Sequence, residues 1–159
     1  MSIKIVRKFE EHPDAKARLD RAKRAITSIL NLNDNDIHLQ FKKDILRRLL
    51  YAWTRAELKK PHATLYQSED ACRQKHKPGI LIHEHVTHRW KIVDELINNP
   101  DKDKIDGILK SCLACTVTRS DDIKLRKAEK NRKNLEGWDR YKAAKITVYN
   151  TQNGEPLNL

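Results

Sequence analysis

"ILIHEHVTHRWKIVDELINN", residues 80–99, is the stretch of sequence that decides the fold class. Residues 80–84 contain a short apolar run, "ILI", that is typical of a β-strand. The apolar residues that follow recur at the spacing of an amphipathic helix: Trp90, Val93, Leu96 and Ile97. A strand followed directly by such a helix predicts a chain that combines both kinds of element.

Two further helices are predicted on the N-terminal side of this stretch. Residues 13–30 and residues 37–60 both carry apolar side chains at intervals of three and four. The second helix has one apolar stripe, which we predict to be core: Phe41, Ile45, Leu49, Trp53 and Ala56. The two helices are expected to form a hairpin that packs on the rest of the chain.

Strands return in the C-terminal half of the chain. "CTVT" (115–118) and "ITVY" (146–149) are β-prone, and between them Ser120, followed by Asp121 and Asp122, has the pattern of a helix N-terminus. This alternation predicts an α+β fold, mostly helical with a small sheet. The expected parts are a helical N-terminal layer over residues 1–62, a core over residues 63–150 and a flexible tail over residues 151–159.

The charge of the chain is strongly positive. Thirty-three Lys and Arg residues against 22 Asp and Glu give a formal net charge of +11. Such a balance favours a nucleic-acid partner, because each neutralised phosphate releases counterions; plain solubility is the alternative. No segment is apolar over the length of a membrane span, and the first residues lack the apolar part of a signal peptide. We therefore expect a soluble, cytoplasmic protein.

Three histidines surround Glu84, and the cluster suggests a zinc peptidase, a structural metal site or a nuclease. A zinc peptidase places two histidines four residues apart on one helix, so that both rings face the metal. Four residues after His83 stands Thr87, and His88 lies one residue too far, about a quarter-turn around a helix. This register excludes the peptidase.

Cys112 and Cys115 have the spacing of a zinc knuckle. One such pair is half of a structural site. The residues available for the other half have no matching local spacing: Cys72, His76, His83 and His88. The alternative to a structural zinc is a pair of semi-buried free thiols beside a strand, which suits a reducing compartment.

Glu84 and His85 lie at the end of the predicted strand, where the nuclease interpretation applies. A ββα-metal nuclease needs a histidine there to activate water, and acids from that strand and from a following helix to hold a divalent ion. The chain supplies these in order, since Asp121 and Asp122 fall in the first turn of a later helix. The alternative, which spacing alone favours, is that His85 packs in the core and the aspartates only cap the helix.

Three segments resemble a group of small bacterial proteins that look like divergent members of the HNH nuclease superfamily. They are "HEHVTHRWKIVDEL" (83–96), "CLACTVTRSDDIKL" (112–125) and "GWDRYKAAKITVY" (137–149). The resemblance spans residues 79–150 and implies an HNH-like ββα core.

The resemblance also implies roles for single residues. His85 would match the general base and Glu84 the first metal ligand. Asp122, or its neighbour Asp121, would stand where the family pattern has a histidine ligand on the helix. An aspartate in that place indicates Mg²⁺ or Mn²⁺ rather than Zn²⁺. Thr87 replaces the usual proline after the histidine, and the middle asparagine of the pattern has no match.

A run of cations follows this candidate site. It comprises Arg119, Lys124, Arg126, Lys127, Lys130, Arg132 and Lys133, with Arg140 and Lys142 further on. One explanation is a solvated helical face. The other is a surface that binds phosphates without reading sequence.

Three functions follow from these observations. The first is a metal-dependent endonuclease of HNH-like type that acts on DNA or RNA. The second is a non-catalytic nucleic-acid-binding or regulatory protein on the same scaffold. The third is a protein-interaction module whose basic face binds an acidic partner.

Overall fold

The structure, a computed structural model, describes residues 3–75 and 79–159. Within them the helices are α1 (Ala15–Asn31), α2 (Leu39–Arg55), α3 (Glu69–Arg73), α4 (Arg89–Asn98), α5 (Lys102–Ser111), α6 (Arg119–Asn131) and α7 (Asp139–Ala143). The strands are β1 (Tyr66–Ser68), β2 (Leu81–His85), β3 (Ala114–Thr118) and β4 (Val148–Asn150). The strands form one small mixed sheet, so the predicted α+β, mostly helical class is confirmed.

The chain divides into two compact units, each built from separate segments. The helical unit comprises Glu11–Glu57 and Thr87–Leu113 and contains α1, α2, α4 and α5. The sheet unit comprises the described parts of Met1–Glu10, Leu58–Val86 and Ala114–Leu159. This grouping differs from the predicted layer and core, which are each continuous in sequence.

The helical unit has a single apolar cluster. α1 packs on α2, α2 on α4, and α4 on α5. The indole N–H of Trp53 donates to the carbonyl oxygen of Leu109 at 3.0 Å, which also ties α2 to α5. Removing these side chains from water is the main term that stabilises the unit. The buried cluster is Ile26, Leu30, Leu46, Leu50, Ile92, Val93, Leu96, Ile105, Ile108, Leu109 and Cys112.

The buried face of α2 lies one residue away from the predicted stripe. Leu46 and Leu50 are fully buried, whereas Phe41 is 61% exposed. Leu49 and Trp53 pack only partly buried against the cluster. The prediction that Phe41 belongs to the core is therefore wrong, because the centre of the contact with α1 and α4 falls on the neighbouring row of leucines.

Lys42 lies on that same buried face. Its ammonium donates to the carbonyl oxygens of Leu30 at 3.0 Å and Leu32 at 2.6 Å, at the C-terminal end of α1. The last carbonyl groups of a helix have no partner within the helix and carry partial negative charge. Lys42 therefore supplies from α2 the cationic donor that the end of α1 lacks.

In the sheet unit, β1 lies between β3 and β4. It pairs in parallel with β3 and antiparallel with β4, while β2 pairs antiparallel with β3. The sequence did not predict β1. α6 begins directly after β3 and contacts both β2 and β3, whereas α4 and α5 come between these two strands in the sequence.

Both ends of the described chain are tied to the sheet unit. The side-chain amide of Gln67 donates to the carbonyl oxygen of Arg7 at 2.7 Å. At the other end the backbone N–H of Leu157 donates to Val148 at 2.8 Å, and Pro156 bridges to Tyr149. The segment 151–159, which we expected to be a flexible tail, thus returns along β4. Within the described ranges no helix combines the length and the apolarity needed to cross a membrane.

Candidate functional site

A buried arginine holds the end of β2. Arg140 of α7 is 2% exposed, and its Nη2 donates to the Glu84 carboxylate at 2.8 Å. Its Nη1 donates to the carbonyl oxygens of His85 and Val86, both at 2.9 Å. Its Nε donates to the carboxylate of Glu129 on α6. One guanidinium therefore joins β2, α6 and α7.

The electrostatics of this cluster keep the arginine charged. Burial alone would lower the pKa of Arg140, but the hydrogen bonds and charges of Glu84 and Glu129 outweigh burial and raise this pKa. A buried cation is tolerated when its charge is paired and its donors are used. The carboxylate of Glu84, predicted as a metal ligand, is therefore the partner of a structural cation.

His85 is a buried residue of the same strand end. It is 6% exposed, and its ring meets that of His83 edge to face, with centroids 5.4 Å apart. A general base needs to reach the water that it activates. The burial of His85 matches the alternative in which this histidine packs in the core.

Asp121 caps α6 from inside the fold. The N-cap is Thr118, and not Ser120 as predicted: the backbone N–H of Asp121 donates to the Thr118 hydroxyl at 3.1 Å, while the backbone N–H of Thr118 donates to the Asp121 carboxylate at 3.2 Å. The hydroxyl of Ser68 donates to the same carboxylate at 2.6 Å. This reciprocal pair is a capping box, which satisfies otherwise unpaired N–H groups of the helix.

The predicted metal ligands do not come together. Asp122 is nearly buried and pairs with Arg126 at 3.0 Å, one turn along α6. Across residues 3–75 and 79–159, no group of three or more His, Cys, Asp or Glu side chains is placed to hold a metal ion. In the described residues, Glu84, Asp121 and Asp122 each contact another partner: Arg140, Ser68 and Arg126.

Cys112 and Cys115, the predicted zinc knuckle, are both buried free thiols. Cys112 lies in the apolar cluster of the helical unit, and burial raises the pKa of its thiol to about 12. Cys115 is fully buried in β3, where burial raises its pKa well above the usual value. Both cysteines match the alternative of free thiols, and His76, a candidate for the other half of a zinc site, lies outside the described residues.

Several cations of α6 lie together on one exposed face of the helix. Arg119, Lys127 and Lys130 share one side of the helix with Ile123, which is 61% exposed. They extend over about 16 Å at a rise of 1.5 Å per residue. Arg132 and Lys133 follow at the end of the helix and are also exposed. We call these five cations the α6 basic face.

The other two predicted cations of α6 face acidic neighbours. Lys124 lies 3.2 Å from the carboxylate of Asp121 and 3.8 Å from that of Asp70. Arg126 pairs with Asp122. In contrast, no residue of the α6 basic face forms an ion pair with the described part of the chain.

The role of Arg140 is not visible in the sequence pattern, which counts it as one more cation of the basic run. The residues beside it carry the signal that separates it from the run. Tyr141 is fully buried, and Trp138 packs edge to face on Tyr66 with centroids 5.3 Å apart. Arg140 lies between two packed aromatic residues in the sequence, so its surroundings are more apolar than those of the lysines of α6. "WDRY" (138–141) therefore indicates a buried cation in need of a partner.

No family model, curated protein or solved structure matches the chain. The resemblance to HNH nucleases stays a prediction.

Proposed function

We propose that the chain is a non-catalytic nucleic-acid-binding protein that contacts phosphates through the α6 basic face. One observation carries this proposal. Five exposed cations lie along and just beyond one helix without an acidic partner in the described residues, while the nearby acids make internal contacts. The surface therefore keeps its positive charge for a ligand from outside.

The physical basis is the release of counterions from the nucleic acid. Each strand of a duplex carries one phosphate per 3.4 Å of helix axis, so about 16 Å of α6 faces several phosphates. Lysine and arginine contacts to phosphates fix position without reading bases. The net charge of +11 adds a long-range attraction to any polyanion. Binding is expected to be weakly sequence-dependent and strongly salt-dependent.

Replacing Lys127 and Lys130 together with glutamine is expected to weaken binding to duplex DNA about tenfold. Both side chains are exposed, so the fold should remain intact. The slope of log affinity against log salt should fall by about two, because two phosphate contacts are lost. Fluorescence anisotropy over a series of salt concentrations measures both quantities.

The matched control for this variant replaces Lys102 and Lys110 of α5 with glutamine. Both of these lysines are exposed, and the double substitution removes the same net charge from another helix. Affinity and salt slope should stay close to those of the unchanged protein. If both double variants weaken binding equally, only net charge matters and the α6 basic face is not a site.

The endonuclease hypothesis has a direct test, for which we expect a negative result. Plasmid DNA and single-stranded RNA incubated with the protein and Mg²⁺ or Mn²⁺ should remain uncleaved, because the carboxylates of Glu84 and Asp121 are held by Arg140 and Ser68. Agarose and denaturing gels measure the products. Cleavage that needs the metal and disappears with His85→Ala would contradict a non-catalytic role and restore the nuclease.

A further inference from the structure

A second cationic surface lies on the helical unit, in a groove between α1 and α2. The groove has a volume of about 540 Å³ and is open to solvent along its length. Among the described residues, its cationic lining residues are all arginines, and no aspartate or glutamate lines it. The lining comprises Arg18, Arg21, Ala22, Ala25, Leu49, Tyr51, Ala52, Arg55 and Ala56. We call it the arginine groove.

The spacing of these residues explains why a groove forms. One face of α1 carries four of the lining residues, which are spaced three or four positions apart: Arg18, Arg21, Ala22 and Ala25. On α2, Leu49, Ala52 and Ala56 have the same spacing. The methyl side chains of the alanines fill little of the space between the helices. The groove is therefore lined by arginines together with small apolar side chains.

Neutral groups contact the side chains of Arg18 and Arg55. The Arg55 guanidinium lies over the ring of Tyr51, 5.2 Å from its centroid, and that of Arg89 lies 5.9 Å from the same centroid. Arg18 donates to the carbonyl oxygen of Arg55 at 3.5 Å. Rings and carbonyl groups orient a guanidinium without cancelling its charge.

Two of the lining arginines have no carboxylate partner. Within residues 3–75 and 79–159, neither Arg21 nor Arg55 forms an ion pair, and both are exposed. Elsewhere on this unit the pattern differs, since Lys43 pairs with Asp94 at 2.7 Å and Arg47 with Asp44 at 2.8 Å. The groove is thus a place where positive charge is left for an external anion.

We infer that the arginine groove binds the sugar-phosphate backbone of a single-stranded nucleic acid. Arginine presents a planar fork of donors that matches two oxygens of one phosphate. The groove has a volume of only about 540 Å³, which is too small to enclose a duplex, so we take a single strand as its occupant. A strand laid along the groove would place its phosphates toward Arg21 and Arg55. The inference rests on the proposed function only in taking nucleic acid as the ligand.

The test compares two double variants on the same two helices. Arg21→Gln with Arg55→Gln should weaken binding of the full chain to a labelled oligothymidylate about tenfold, because two charge-assisted phosphate contacts are lost. Arg24→Gln with Arg48→Gln removes two exposed arginines of the same helices that do not line the groove. This control should change affinity less than about twofold. Anisotropy titrations measure both variants beside duplex DNA of equal length, whose affinity the groove variant should leave nearly unchanged.

A second double variant, with lysine at both positions, tests whether the forked shape of the arginine side chains matters. It also provides a comparison if the glutamine variant does not fold. Arg21→Lys with Arg55→Lys keeps the charge and should give an intermediate loss, about threefold, since the forked contacts are replaced by single ones. Thermal unfolding followed by circular dichroism checks each variant. If the glutamine pair does not fold, the comparison is made with the lysine pair, and a lysine pair that binds as tightly as the unchanged protein overturns the inference.

Other outcomes distinguish the groove from the α6 basic face. If the Arg21 and Arg55 double variant and the Arg24 and Arg48 control lose the same affinity for oligothymidylate, the groove is not a binding site. The inference also fails if the Arg21 and Arg55 variant loses binding to polyglutamate but still binds oligothymidylate as before. A loss for the groove pair without any loss for the Lys127 and Lys130 variant supports the groove and contradicts the proposed role of α6. The reverse result supports α6 and overturns the groove.

Discussion

Replacing Arg140 with methionine is expected to lower the free energy of unfolding by about 3 kcal/mol. The substitution keeps the length of the side chain but leaves the carboxylates of Glu84 and Glu129 without their cation. It also leaves the carbonyl oxygens of His85 and Val86 without a donor. Breaking a fully buried pair costs about 3–5 kcal/mol, and the two carboxylates are partly exposed, so the lower end applies. Urea unfolding followed by circular dichroism measures the change.

Two further variants separate the charge of Arg140 from its size. Arg132→Met makes the same substitution at an exposed position and should change stability by less than about 0.5 kcal/mol. Adding Glu84→Gln to Arg140→Met removes one of the unpaired carboxylates and should restore about 1 kcal/mol. A methionine variant as stable as the unchanged protein would show that the cluster does not hold β2, α6 and α7 together. If the methionine variant fails to fold, the double variant carries the comparison.

The Arg140 cluster also shows what local sequence patterns omit. The sequence correctly predicted Glu84 and His85 at the end of a strand and Asp121 in the first turn of a helix. It assigned chemistry to them because their partners were unknown. The partners, Arg140 and Ser68, stand 56 and 53 positions away in the sequence and are identified only by the fold. The pattern "WDRY" indicates at most that Arg140 is buried, and neither it nor a serine before a short helix identifies the residue that is contacted.

The secondary-structure elements also differ in how far a local sequence pattern predicts them. α1, with its apolar residues at helical spacing, and β2, with its short apolar run, lie where their patterns predict them, and α6 begins close to its predicted N-terminus. β1 has only three residues, and it becomes a strand because it pairs with Cys115 and Thr116 on one side and with β4 on the other. Those partners are remote in sequence, so no local pattern marks the segment. Strand pairing of this kind depends on tertiary context more than on propensity.

The two surfaces proposed for nucleic acid have a common physical origin. Most cations of a folded protein either pair with acids or stay solvated, and exposed pairs contribute little stability. Here the α6 basic face, and Arg21 and Arg55 of the arginine groove, have no acidic partner among the described residues. Unpaired like charges repel each other, which disfavours such clusters in the absence of a ligand. A bound polyanion removes that repulsion, so the clustered positive charge favours binding of a nucleic acid.

Leu50→Ala is expected to lower the free energy of unfolding by about 3 kcal/mol, whereas Phe41→Ala should change it by less than about 0.5 kcal/mol. Leu50 is fully buried in the apolar cluster of the helical unit, and its truncation leaves a cavity. Phe41 is on the same helix but 61% exposed, so little packing is lost. The sequence pattern alone predicts the opposite order, since it places Phe41 in the stripe and Leu50 beside it. Urea unfolding of the two variants therefore distinguishes the two registers of α2.

The position of Lys42 gives an independent measure of the same register. Lys42→Met keeps most of the packing of the side chain but removes the donor to the carbonyl oxygens of Leu30 and Leu32. Loss of a charge-assisted donor to buried acceptors should cost about 1.5–3 kcal/mol. On the predicted stripe Lys42 would instead face solvent, and its replacement would be nearly neutral. A neutral Lys42→Met together with a large loss for Phe41→Ala would contradict the buried face of Leu46 and Leu50, because both results require α2 to be rotated by one residue.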